Sequence, residues 1–179
     1  MTAICVYCAS GRHVPEEYLD LATRLGTAIG KGGHSLVSGG GNVSMMGAVA
    51  SATRAAGGHT LGIIPRALME REVADLDADE LVVTETMRER KGLMDSRADA
   101  FITLPGGIGT LEELFETWTG GYLGMHAKPV VLLDPDGFYE PLLSWLRGLV
   151  ERGFVTAESL DRLRVVATVE EAIEVTTGG

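Results

Sequence analysis

Short apolar runs alternate with amphipathic helical segments along nearly the whole chain, and this alternation restricts the possible fold more than any other feature. Apolar runs of this kind are typical of parallel strands that helices cover on both faces. The pattern predicts an α/β fold, a Rossmann-like doubly wound parallel sheet in a single domain spanning 1–179. We predict strands at 4–8, 34–37, 60–64, 80–86, 100–104 and 129–133, helices at 15–30, 45–56, 87–97, 110–122 and 138–150, and a helix, a strand and a last helix within 157–175.

The overall composition excludes several classes of protein. The chain has 179 residues, of which 45% are hydrophobic and 22% charged, and its formal net charge is −10. An acidic chain is repelled by nucleic acid and by anionic membranes, so we expect neither as a partner. The first residues lack the basic segment of a signal peptide, and no apolar run approaches the roughly 20 residues of a membrane span. We therefore expect a cytoplasmic protein.

Two cysteines, Cys5 and Cys8, have the C-x-x-C spacing of redox pairs. In a redox protein this motif normally opens a helix, whereas here it lies inside a strand-like run. Residues three apart on a strand point to opposite faces of the sheet. We therefore interpret both cysteines as small buried residues. We also expect no metal site, because zinc needs more Cys or His ligands than lie nearby.

A glycine-rich turn, LPGGIGTLEE at 104–113, follows the fifth predicted strand. Parallel sheets bind ligands beyond the carboxyl ends of their strands, and the N-terminus of the next helix offers free N–H groups to a phosphate. Gly106, Gly107 and Gly109 allow the backbone to approach an anion closely, and Thr110 adds a hydroxyl. The alternative is a capping box from Thr110 to Glu113, which explains those two residues but not three glycines.

A second glycine-rich loop, SGGGNVSMMG at 38–47, follows the second predicted strand. A flexible connection explains one such loop, but two at the same edge of one sheet favour a ligand site. The loop after the first strand, at 9–11, reaches the same edge. These two loops add Ser10, Gly39, Gly40, Gly41, Met46 and Gly47 to the predicted substrate-binding residues.

The segment MRERKGLM at 87–94 carries two basic residues on the predicted inner face of a helix. Met87, Arg90, Lys91 and Met94 follow the i, i+3, i+4, i+7 spacing of one helical face. Exposure to solvent is the usual arrangement for such charges, with the aliphatic stems lying along the surface. Facing inward, Arg90 and Lys91 need a phosphate or an acid as partner, because an unpaired buried charge is costly.

Glu113 stands close to the predicted phosphate loop, although a carboxylate repels phosphate. The simple interpretation is an acid near a helix N-terminus, where the helix dipole favours it. The alternative is that Glu113 reaches past the phosphate to a sugar that becomes cationic in a transition state. Cleavage of a glycosidic bond passes through such an oxocarbenium-like state.

The motifs MRERK (87–91) and PGGIGTLEE (105–113) together resemble those of the LONELY GUY family, the cytokinin riboside 5'-monophosphate phosphoribohydrolases, which are often mislabelled lysine decarboxylases. The opening CVYCASG and the segment LLDPDGFY are also similar. The sequence departs from the family at Ala9, Ser44, Met45 and Arg88, near the expected ligand, which leaves the preferred base open. The resemblance implies a homodimer with a Rossmann-like fold.

The resemblance further implies hydrolysis of the N-glycosidic bond of a nucleoside 5'-monophosphate, with Arg90 and Glu113 as catalytic residues and no metal or other cofactor. We expect Arg90 to pair with Glu113 and Lys91 to support that pair. The remaining predicted substrate-binding residues are Lys91, Met94, Pro105, Gly106, Gly107, Gly109 and Thr110.

Two competing functions are considered. One is a non-catalytic carrier of a nucleotide or of molybdenum cofactor, since related carriers have a similar glycine turn. The other is lysine decarboxylation, which normally needs a pyridoxal Schiff-base lysine in a much larger chain. The intact Arg90 and Glu113 favour the hydrolase over the carrier.

Overall fold

A computed structural model describes residues 1–178, and within them seven parallel strands form one sheet with helices on both faces. The strands are β1 (Ala3–Tyr7), β2 (Ser35–Ser38), β3 (Thr60–Pro65), β4 (Glu80–Thr84), β5 (Ala100–Thr103), β6 (Val130–Leu133) and β7 (Leu163–Val166). The helices are α1 (Glu16–Lys31), α2 (Ser44–Ala55), α3 (Met87–Arg97), α4 (Ile108–Tyr122), α5 (Glu140–Glu151), α6 (Ala157–Asp161) and α7 (Val169–Thr177).

The strand order is β4-β3-β2-β1-β5-β6-β7, so the chain builds outward from β1 first in one direction and then in the other. β1 pairs with β2 on one side and with β5 on the other, both in parallel. The reversal leaves a crevice beyond the carboxyl ends of β1 and β5, where ligands bind in doubly wound sheets. The predicted doubly wound fold is confirmed.

Two apolar cores flank the sheet, one on each face. The first packs α1, α2 and α7 against the sheet, and the second packs α3, α4 and α5 against the other face. Cys8 belongs to the first core and Cys5 to the second, and both are free thiols. The interpretation of the C-x-x-C spacing as buried strand residues on opposite faces is confirmed.

Helix α4 differs from its predicted bounds in a way that affects the site. It begins at Ile108, two residues before the predicted start, with Gly107 as its N-cap residue and no side-chain cap. Thr110 therefore lies inside the first turn and does not cap the helix, so the capping-box alternative for Thr110 and Glu113 is wrong. A capping box does exist one helix earlier, where Thr86 and Glu89 cap α3.

Among residues 1–178, none of the helices is long and apolar enough to cross a bilayer.

Candidate active site

A cavity of about 540 Å³ opens beyond the carboxyl ends of β1 and β5, at the point where the strand order reverses. The loop after β1 forms one wall, the glycine turn and the first turns of α4 form another, and Arg90 and Glu72 close the far side. Its lining also includes apolar and aromatic side chains, among them Val14, Tyr18, Met46, Leu68, Met87 and Phe138.

The glycine turn presents the N-terminus of α4 to this cavity. The first backbone bond within the helix runs from the N–H of Leu111 to the carbonyl of Gly107. The N–H groups of 107–110 therefore have no partner within the helix and are available to a ligand. At Gly106, a Cβ would lie 2.2 Å from Oγ1 of Thr110, so the turn folds back tightly on the helix and only glycine fits there.

Tyr139 holds the glycine turn in place through a hydrogen bond to the residue before it. Its hydroxyl donates a hydrogen bond of 2.9 Å to the carbonyl of Leu104, the residue between β5 and the turn. The ring is buried, with 3% of its surface exposed, and Asp134 accepts a bond from the backbone N–H of Tyr139 at 3.0 Å. The end of β6 thus helps to fix the position of the glycine turn.

Arg90 is a buried cation in the cavity wall, with 5% of its surface exposed. Its Nε donates to the carbonyl of Ile63 at 3.2 Å and its Nη2 to the carbonyl of Gly39 at 3.0 Å. A Cβ at position 39 would lie 1.9 Å from Nη2, so the guanidinium occupies the space that any other residue at 39 would fill.

The carboxylate that pairs with Arg90 belongs to Glu72, whose Oε2 lies 3.5 Å from Nη2. The sequence had predicted a direct pair with Glu113. The structure differs because the Arg90 side chain extends from α3 toward β3 and the loop after β2, whereas Glu113 lies on α4. Arg90 still acts on Glu113 through space and lowers the pKa of that carboxyl in part.

Glu113 is half-buried in the wall and has an unusual acidity. The pKa of Glu113 is raised from an ordinary 4.5 to about 7: burial is the main cause, Arg90 and Lys91 oppose it, and the negative charges of Glu112 and Glu72 add to it. A carboxyl with such a pKa exchanges its proton near neutral pH, as a general acid or base must. Glu113 also borders a second pocket of about 200 Å³ that Tyr7, Lys91 and His126 line.

Lys91 does not reach the main cavity, although the helical spacing had placed it on the same face as Arg90. Its ammonium group pairs with Glu112 and with Glu116, the latter at 2.8 Å, and both partners lie on α4. Lys91 therefore joins α3 to α4 beside Glu113.

The structure brings nine of the predicted site residues together around the cavity and places six elsewhere. Of those six, the four glycines 39, 40, 41 and 47 do not line the cavity, Lys91 borders the second pocket, and Met94 is packed in the core. Met87, predicted on the buried face, is 43% exposed and lines the cavity. The residues around the cavity are Ser10, Met46, Arg90, Pro105, Gly106, Gly107, Gly109, Thr110 and Glu113.

Several residues that line the cavity are not among the predicted site residues, and Tyr18, Phe138 and Glu72 are three of them. Tyr18 lies on the apolar face of α1, and its hydroxyl donates to Asp136 at 2.9 Å. Phe138 packs edge-on against Tyr18, with ring centroids 5.7 Å apart. Glu72 lies in a segment without regular periodicity. The LLDPDGFY resemblance was the one signal that pointed toward Phe138.

Comparisons with known proteins agree with this site. The family model described as "Possible lysine decarboxylase" matches residues 46–176. The cytokinin riboside 5'-monophosphate phosphoribohydrolase of Mycobacterium tuberculosis is 56% identical over 171 residues, covering 95% of this chain and 90% of that protein. The enzyme of the same name from Mycobacterium marinum is 54% identical over 176 residues, covering 98% of this chain and 94% of that protein.

Among solved structures, the molybdenum cofactor binding protein from Rippkaea orientalis has a similar fold, with a TM-score of 0.74 and 26% identity over 99% of this chain and 96% of that chain. This identity is less than half of that to the mycobacterial enzymes. The family match and the two mycobacterial relatives show that the chain belongs to the LONELY GUY family of phosphoribohydrolases, to which the description "Possible lysine decarboxylase" is attached.

Proposed function

We propose that the chain hydrolyses the N-glycosidic bond of cytokinin riboside 5'-monophosphates or AMP and releases the free base and ribose 5-phosphate. One arrangement carries the proposal: the free N–H groups at the start of α4 and the carboxyl of Glu113 line the same cavity. Thr110 and Glu113 are three residues apart, about 4.5 Å along the helix axis, so one helix serves both the phosphate and the sugar of a single nucleotide.

The phosphate binds at the glycine turn. The N–H groups of Gly107, Gly109 and Thr110 donate to its oxygens, and that of Ile108, in the same helical turn, points the same way. The helix dipole adds a partial positive charge there. This local site offsets the overall negative charge of the chain.

Glu113 acts on the sugar. In its carboxylate form it stabilises the positive charge that develops on the ribose as the bond to the base breaks. The same carboxylate accepts the proton of the attacking water as the hydroxyl joins the ribose, a role suited to a group with a pKa of about 7, and the departing base takes up a proton from solvent. Arg90, held beside it in the wall, keeps part of the Glu113 population ionised and donates to an oxygen of the ligand.

Two substitutions test these roles. Glu113→Ala and Arg90→Ala are each expected to abolish release of base from AMP while the circular dichroism spectrum stays that of the native protein. Glu70→Ala is the matched control, because it removes an exposed carboxylate from the same surface region. Native turnover in either purified active-site variant contradicts the assignment.

A carrier function is the second candidate, because the fold is shared with the molybdenum cofactor binding protein. A carrier binds a nucleotide without cleaving it. A panel of nucleoside 5'-monophosphates with and without an N6-isoprenyl group separates the two, since only the hydrolase yields free base. Lysine decarboxylation is tested in parallel by incubation with lysine and pyridoxal phosphate, from which we expect no cadaverine.

We also propose that the protein is a cytoplasmic homodimer. Met45, Met46 and Trp118 are buried in the cores, whereas Tyr122, the last residue of α4, and Met125, shortly after it, are 47% and 77% exposed and offer an apolar contact surface. Light scattering after gel filtration is expected to give twice the 19.0 kDa chain mass. A monomeric mass contradicts the dimer, and recovery from the membrane fraction contradicts the location.

A further inference from the structure

Glu72 has an arrangement that packing alone does not explain. It lies in the crossover segment, which we define as residues 66–79 between β3 and β4. Its side chain is 15% exposed, and its Oε2 has no hydrogen-bond donor within residues 1–178, although the atom is buried. Burying a carboxylate oxygen without a donor is costly, so the nearby charge of Arg90, 3.5 Å away, is what compensates it.

The backbone around Glu72 is held tightly and under strain. The N–H of Asn42 donates to the carbonyls of Glu72 and Val73, at 3.1 and 2.7 Å. Val73 has a φ of +50°, a left-handed conformation that β-branched residues rarely adopt. Strain of this kind persists where the surroundings determine it, and it is found in excess at functional sites.

A buried ion pair anchors the end of the crossover segment. Asp75 accepts two hydrogen bonds from Arg54, at 2.8 and 3.2 Å, and its backbone N–H donates to the carbonyl of Gly40 at 2.9 Å. The segment is thereby fixed to the loop after β2. Since Gly39 in that loop accepts a bond from Arg90, the same hydrogen-bonded loop contacts both the crossover segment and the guanidinium.

From these contacts we propose that Glu72 is a positioning residue for the reaction: its carboxylate holds the Arg90 guanidinium against the wall and keeps it from forming a direct ion pair with Glu113. The other acceptors of Arg90 are neutral, the carbonyls of Ile63 and Gly39 and the sulfur of Met87, which orient the group but do not balance its charge. Without the charge on Glu72, Arg90 turns toward Glu113. This inference rests on the proposed function, because it assigns Glu72 a part in that chemistry.

The acidity of Glu113 reports on this arrangement. The groups that act on it are Arg90 and Lys91 from α3, Glu112 from α4 and Glu72 from the crossover segment. Removing the charge of Glu72 takes away a field that raises the pKa of Glu113, and a closer Arg90 lowers that pKa further. Both effects therefore lower the pKa of Glu113 in the Glu72→Gln variant.

The other titratable groups that face Glu113 do not oppose this lowering of its pKa. Three of them, Cys5, Tyr7 and Cys8, stay uncharged near neutral pH because burial raises the pKa of each. The second pocket adds Asp95, Glu116 and His126 on the other side of Glu113, and the substitution leaves them in place.

The test compares Glu72→Gln with Glu70→Gln, which removes an exposed charge two residues away. With AMP as substrate, Glu72→Gln is expected to lower kcat about 100-fold with a much smaller change in KM, since a misplaced catalytic group costs about that factor. The acidic limb of its kcat/KM profile moves to lower pH. Glu72→Asp, which keeps the charge, restores most of the rate, and Glu70→Gln matches the wild type.

A second measurement does not depend on turnover. Carbon-13 NMR of labelled glutamate, with the Glu113 signal assigned from a Glu113→Gln sample, is expected to show a lower pKa for Glu113 in Glu72→Gln than in the wild type. An unchanged titration overturns the proposal, as does a folded Glu72→Gln with wild-type kcat.

If the wild type cleaves no nucleotide, the proposed function fails, and the NMR titration still decides the role of Glu72. If Glu72→Gln does not fold, Glu72→Asp is titrated in its place, and loss of the raised Glu113 pKa there contradicts the proposal.

Discussion

Replacing Glu113 with glutamine is expected to stabilise the protein at alkaline pH while it abolishes activity. The free carboxyl of an unfolded chain has a pKa of 4.5, whereas in the folded protein burial raises the pKa of Glu113 to about 7. Between these values the folded state binds more protons than the unfolded state, so the free energy of unfolding falls as pH rises. Above about pH 7 the loss is complete, and it amounts to about 3 kcal/mol at most, since one pH unit corresponds to about 1.4 kcal/mol.

Glutamine has nearly the same shape as glutamate and no charge at any pH, so the Glu113→Gln variant does not lose stability in this way as pH rises. The free energy of unfolding of Glu113→Gln minus that of the wild type is expected to be about 2 kcal/mol larger at about pH 8.5 than at about pH 5.5. The difference is smaller than the full loss of stability, because the wild type has already lost part of it at the lower pH. For a chain of this size the same difference raises the melting temperature by about 4 to 8 °C.

The assay is urea unfolding of both proteins at the two pH values, followed by circular dichroism. Any hydrogen bond that glutamine gains or loses contributes equally at both pH values and cancels in the comparison. Glu70→Gln is the control, because Glu70 is exposed and its removal is expected to leave the two curves parallel. Parallel curves for Glu113→Gln and the wild type would refute the reasoning, since they would show that Glu113 titrates with an ordinary pKa.

Three further predictions concern the geometry of the cavity. Gly39→Ala is expected to lower kcat/KM for AMP about 100-fold and the free energy of unfolding by about 1 to 3 kcal/mol, because the new Cβ displaces Arg90. Gly92→Ala is the control: this position on α3 has open space around it, so the variant is expected to keep full activity. The kcat/KM for AMP is expected to fall about tenfold per pH unit below about pH 7, as the Glu113 carboxylate takes up a proton, and a flat profile between about pH 5.5 and 8 contradicts this. Adenosine, which lacks the phosphate, is expected to react with a kcat/KM at least about 100-fold below that of AMP, since the charge-assisted hydrogen bonds at the glycine turn are lost; equal rates contradict the phosphate site.

The sequence predicted the sheet and the position of the cavity because both depend on local patterns. Periodicity identifies strands and helices, and their alternation then requires a parallel sheet with crossover connections. The same reasoning placed α4 two residues late, because Gly107 and Gly109 are poor helix formers and the start of the helix depends on the turn around Gly106.

The partners of the charged residues depended on tertiary contacts that spacing cannot give. Helical periodicity put Arg90 and Lys91 on one face, but the structure directs Arg90 toward β3 and Lys91 toward α4. Glu72 lies in a segment with no periodic pattern, and Arg54 and Asp75 fix that segment through a buried pair. The raised pKa of Glu113 likewise follows from burial by several elements at once.

The central claim is that the chain cleaves the bond between base and ribose and leaves the phosphate on the sugar. Its most direct test is a product analysis of the purified protein incubated with AMP and with N6-isopentenyl-AMP, by chromatography coupled to mass spectrometry. We expect free base and ribose 5-phosphate in equal amounts, and neither from the Glu113→Ala variant. Unchanged nucleotide, or nucleoside with inorganic phosphate, would contradict the account.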